Sequence, residues 1–143
     1  MSISFNAVKP TVFSFMLLYV FLSSTVTAAQ NKVDACLKKD PITSQLQCLD
    51  QHIASLQRIQ ESWENSLTVG LEEIARNKGR KDALAKAKKE KIFYDKMVKE
   101  SCGWQYLLQL PNTQVGALFY KKCEIKMIEQ RIDNLKYFSN LLK

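Results

Sequence analysis

Residues 113–142, TQVGALFYKKCEIKMIEQRIDNLKYFSNLL, place Val115, Leu118, Ile125, Ile128, Ile132, Leu135, Phe138 and Leu142 on one stripe at three- and four-residue steps. That spacing is the period of an amphipathic helix and not of a strand. Pro111-Asn112 supplies a stop and a new N-cap just before it. The same pattern recurs upstream. A helix starting at Asp40-Pro41 has the seam Leu46, Leu49, Ile53, Leu56, Trp63, Leu67, Leu71 and Ile74, interrupted once by Gln60. Asp40 reads as its N-cap and Pro41 as its first helical residue. Asn77-Lys78-Gly79 ends it, because glycine accepts the left-handed conformation of a helix C-terminus. A second helix, Lys81 to Ser101, carries Leu84, Ala87, Tyr94 and Val98, with Phe93 and Met97 alongside and Lys91 snorkelling from the seam. Gly103 to Asn112 reads as an apolar loop. Three apolar stripes on short connections predict an all-α fold, an antiparallel three-helix bundle.

The N-terminus is set apart from this pattern. Val12–Leu22 is an apolar run of signal-peptide length, shorter than a comfortable membrane span, and small residues follow it. Val26 and Ala28 suit a signal peptidase site, with Thr27 and Ala29 as a second register. The expected division is a signal peptide over 1–28 and one helical domain over 29–143, with no transmembrane span after cleavage. Loss of Lys9 lowers the net charge from +7 to +6.

All four cysteines, Cys36, Cys48, Cys102 and Cys123, fall in the expected mature domain. An even number in a small exported chain reads as two disulfides. A zinc site is disfavoured by the lack of any C-x-x-C pair and by the presence of one histidine only. Three pairings are open. At about 1.5 Å rise per residue, Cys102 stands roughly 35 Å above the turn between the first two helices, Cys123 roughly 30 Å and Cys48 roughly 46 Å. This favours Cys102–Cys123 and leaves Cys36–Cys48.

Catalytic chemistry is not written in the chain. His52 stands alone on the expected polar side of its helix, and Glu61, Glu64, Glu72 and Glu73 read as a solvated face. There is no phosphate-binding glycine loop and no nucleophile elbow, so a non-enzymatic protein without cofactor or metal is expected. Two surfaces are candidates for binding. Between Arg76 and Lys99 there are ten Lys or Arg against three acids. Lys81, Lys88, Lys89, Lys91 and Lys99 could meet an anionic membrane or cell-surface component, or could simply solvate the helix. Nucleic acid is not expected, since base reading favours arginine and stacked aromatics. Trp104, Tyr106 and Leu108 could contact a partner protein. They could equally form a lid over the Cys48 end of the longer first helix.

The cysteine frame, with twelve residues from Cys36 to Cys48 and Cys123-x7-Arg131-x3-Leu135 at the close, resembles the LprI-like lysozyme-inhibitor domain family of exported bacterial proteins. The resemblance covers about Cys36 to Leu135. Two positions depart from the family pattern: residues 57–61 read QRIQE where an acidic stretch is usual, and Tyr94 stands where a tryptophan is usual. The resemblance implies a protein of the bacterial envelope, periplasmic or secreted, with lysozyme as a candidate partner. The net charge works against it, because common lysozymes are themselves cationic.

Overall fold

The computed structural model describes residues 27–142. The expected signal peptide lies outside the described residues except for Thr27 and Ala28, which open a helix. The described chain is all-helical, with four helices rather than three: α1 Thr27–Leu37, α2 Ile42–Lys78, α3 Lys81–Leu107 and α4 Thr113–Leu141. None of them is long and apolar enough to cross a membrane.

Three boundaries differ from the sequence expectation. Pro41 rather than Asp40 caps α2, with no side-chain hydrogen bond, and its carbonyl accepts from Ser44 N at 2.8 Å. The stretch read as a loop from Gly103 continues α3 to Leu107, leaving only a short turn. Glycine at 103 weakens a helix but does not end one when the turns on either side are packed. The third difference is α1 itself. Eleven residues with one apolar triplet, Val33, Cys36 and Leu37, are too short for periodicity to register, and the helix is held by tertiary contact. Elsewhere the local signals agree with the structure. Gly79 takes φ 69° at the end of α2, and the Asn112 side chain accepts from Val115 N at 3.1 Å at the start of α4.

The two-residue connection Gly79-Arg80 turns α3 back along α2, and the turn after Leu107 turns α4 back along α3. Helix α4 packs on both α2 and α3, whereas α2 and α3 touch each other less than either touches α4. The main core joins Leu49 and Ile53 of α2 to Ile125, Ile128 and Ile132 of α4, with Val33 and Cys36 of α1 closing one end. A smaller cluster of Tyr94, Val98 and Cys102 joins α3 to Tyr120, Cys123 and Met127 of α4. The α4 stripe holds at Ile125, Ile128, Ile132 and Leu135. It continues through Ser139, four residues after Leu135 and buried, while Phe138, three residues after Leu135, falls off the buried face and is exposed.

Both disulfides form with the favoured pairing, Cys36–Cys48 and Cys102–Cys123. The first ties α1 across the start of α2, and the second ties the upper part of α3 to α4. Helix α1, not the Trp104 stretch, therefore covers the Cys48 end of α2.

Candidate functional site

The polar residues that interrupt the apolar seams meet inside the bundle. Gln60 is buried, and its Nε2 donates to Glu64 Oε1 at 2.9 Å. Lys91, the interruption on α3, pairs through its ammonium with Glu64 Oε2. Glu64 is thus an inward-facing carboxylate, not a member of a solvated face, because both seam interruptions converge on it. From α4, Arg131 enters the same cluster. Its Nη1 and Nη2 donate to the two carboxylate oxygens of Glu90 at 2.5 and 2.7 Å. Its Nε lies 3.8 Å from Glu64, and its guanidinium sits 5.0 Å from the centre of the Tyr94 ring. Two cations and two carboxylates from three helices make a neutral clamp, with the side chains of Arg131 and Glu64 largely buried and those of Glu90 and Lys91 half exposed at its rim. Arginine suits this position because its planar fork grips a carboxylate while its face stacks on an aromatic ring. Leu135, one turn further along α4, is fully buried.

Beyond the Lys91–Glu64 pair a groove of ≈ 580 Å³ separates α2 from α3. Gln57, Glu61 and Asn65 form its α2 wall, and Asp95, Val98 and Lys99 its α3 wall. Tyr120, Glu124 and Ile128, one helical turn apart on α4, floor it, and Tyr94 also lines it. The groove exists because α2 and α3 each pack on α4 more fully than on each other. Tyr94 is more than nine-tenths buried, yet its hydroxyl has no hydrogen-bond partner among the described residues. Burial pushes this phenol up to about 12. Burial also raises the Glu124 carboxyl above the ordinary carboxylate range, against the pull of Lys121, which itself pairs with Asp50. The hydroxyl of Tyr120 is raised by burial too. A second, smaller hollow of ≈ 390 Å³ lies by the α1–α2 turn, between Lys39, Asp40 and Gln51. No buried unpartnered group faces it.

His52 is buried rather than on the polar side, because it lies next to Ile53 where α1 and α4 close over α2. Its Nε2 is 3.9 Å from Glu129, too far for a hydrogen bond. Burial first, and Lys32 second, lower its pKa. Burial and then Asp133 raise that of Glu129, so both groups shift toward their neutral forms.

The residues proposed for partner contact are divided by the structure. Trp104 is 56% exposed and Leu108 70%, with Leu107 and Leu110 exposed beside them at the α3–α4 corner. The lid reading therefore does not describe this corner. Tyr106 instead faces inward and packs on Gly116 of α4. The basic face is similarly divided. Lys91 is committed to Glu64, and Lys88 lies 3.9 Å from Glu72 of α2. Lys89 lies over the exposed Phe93 ring, at 5.5 Å from its centre, Lys99 borders the groove and Lys81 is exposed at the start of α3. The sequence offered no signal for Tyr94, Glu124 or Arg131 as a set, because each comes from a different turn of one of two helices. Comparison with protein families, curated proteins and solved structures gives no match to this chain.

Proposed function

We propose that this chain is an exported, non-enzymatic binding protein of the bacterial envelope that engages a protein partner through the corner between α3 and α4. The observation that carries this reading is the exposure of Trp104 and Leu107 at the end of α3 together with Leu108 and Leu110 of the turn that follows. Exposed apolar clusters that include tryptophan are the usual anchors of protein interfaces. Nearby, the Cys102–Cys123 bond and the Tyr106–Gly116 contact hold the corner in shape, so little ordering entropy is lost on binding. Two disulfides and the absence of a membrane-crossing helix among the described residues accord with an extracytoplasmic setting.

The cysteine frame with Arg131 and Leu135 makes lysozyme the first partner to test. The oxidised 29–143 domain is titrated against lysozyme at low and physiological salt, with inhibition and binding both read. Stoichiometric inhibition that weakens in Trp104→Ala, with unchanged melting, supports the reading. Absence of binding at either salt removes lysozyme as the partner.

A second reading is favoured by one observation. Ile92, Phe93 and Met97 are exposed on α3 beside Lys89 and Lys96, the pattern of a helix that lies on an anionic membrane surface. Sedimentation with phosphatidylglycerol vesicles, lost on adding salt, supports it. No sedimentation at low salt ends it.

A further inference from the structure

We propose that the groove between α2, α3 and α4 is a binding site for an organic cation, an alkylammonium or alkylguanidinium ligand with its charged head at Tyr94 and Glu124. The site is independent of the α3–α4 corner. Glu61, Asp95 and Glu124 bring one carboxylate from each of the three helices, and none has an ion-pair partner within 4.0 Å among the described residues. Lys99 is the one lining cation without such a partner, since Lys91 is spent on Glu64. The groove is therefore net acidic within a chain of charge +7.

The second observation is Tyr94, which lines the groove and whose hydroxyl is buried with no hydrogen-bond partner among the described residues. A buried hydroxyl left unpaired is costly, and a ligand N–H donating to it removes the cost. The charges acting on that phenol are Arg131 first and then Asp95, Glu64 and Glu124; Arg131 is already paired with Glu90, so an N–H group placed there meets three carboxylates against one committed cation. An anion would face the same carboxylates with one free lysine and is excluded on charge. Val98 and Ile128 supply an apolar surface for the ligand's alkyl stem, and Tyr120 a ring beside it. At ≈ 580 Å³ the groove takes a short chain carrying a charged head, not a bare metal ion alone.

The full oxidised domain is titrated with agmatine, with N-acetylarginine amide and with neutral N-butylurea, following backbone amide shifts by NMR. Saturable shifts confined to residues 57–65, 91–99 and 120–128 with the two cations, and none with the urea, are expected. Tighter binding of agmatine identifies a small free dication as the ligand type. Tighter binding of the blocked arginine identifies a basic side chain of a protein. Tyr94→Phe and Glu124→Gln should each weaken binding about tenfold, the scale of a hydrogen bond to a charged group. Exposed Asp95→Asn, which leaves the core intact, should weaken it as well. The proposal is overturned by no saturable shift with either cation, by equal binding of the urea, or by affinities unchanged in Asp95→Asn and Tyr94→Phe.

Discussion

Arg131 grips both carboxylate oxygens of Glu90, at 2.5 and 2.7 Å, and so fastens the middle of α4 to the middle of α3. The same guanidinium reaches toward Glu64 of α2, making one side chain the junction of three helices. Removing it strands the inward carboxylate of Glu64 with Lys91 and Gln60 alone. Arg131→Ala should lower stability by about 1–3 kcal/mol, read from urea denaturation. Arg131→Lys should recover only part of this, because an ammonium cannot form the fork or the stack on Tyr94. Wild-type stability in Arg131→Ala would show that the clamp is ornamental.

The two disulfides should fail differently. Cys102 is fully buried and its bond spans the α3–α4 interface. Replacing Cys102 and Cys123 together by alanine should cost about 2–5 kcal/mol of global stability. Breaking Cys36–Cys48 should chiefly free α1, which otherwise rests on Val33 and Leu37. Hydrogen exchange then speeds first in residues 31–37. Uniform loss of protection across all four helices would contradict this local role.

Gly116 has no room for a side chain. An added Cβ would lie 2.8 Å from the Tyr106 ring and 2.9 Å from the Tyr106 carbonyl oxygen. The carbonyl belongs to the backbone of α3 and cannot turn away. Gly116→Ala should destabilise by about 1–3 kcal/mol, despite the better helix propensity of alanine. A melting temperature at or above wild type would mean that α3 and α4 can slide apart at this corner.

His52 should make the fold sensitive to mild acid. Its folded pKa lies below the ordinary 6.5, so the unfolded chain takes up a proton that the folded chain refuses. Stability therefore falls as pH drops through 6.5 and levels once the folded imidazole is protonated. Lys32 and Glu129 face it, and Glu129 acts in the opposite sense: its raised pKa lets the folded state take up a proton first as pH falls toward 4.5. Between about pH 7.5 and about pH 5.5, wild type should lose more melting temperature than His52→Leu. Equal losses would assign the acid sensitivity to other groups.

The tertiary placement of polar side chains was the least legible part of the chain. Periodicity registers that Gln60 and Lys91 break their seams, but not that both breaks converge on Glu64, which lies four residues from one and 27 from the other. It places His52 outside, because a helical stripe read alone does not include the shoulder that α1 and α4 later cover. Trp104, by contrast, was legible as a choice between lid and surface, and the choice turned on α1 having taken the lid's place.

The sequence by itself determined the helical class, the turn at Gly79 and the cap at Asn112, and it favoured one disulfide pairing of the three open. These depend on short-range chemistry: the 3.6-residue period, a glycine's tolerance of positive φ, an asparagine's reach to a nearby N–H, and axial rise. Only the tertiary structure decided that Arg131, Glu90, Glu64 and Lys91 form one clamp, that the Tyr94 hydroxyl is buried with no hydrogen-bond partner among the described residues, and that a groove opens beside it. Those outcomes follow from how closely each pair of helices packs. That distance is set by the sum of many side-chain volumes across interfaces that no single stretch of sequence contains.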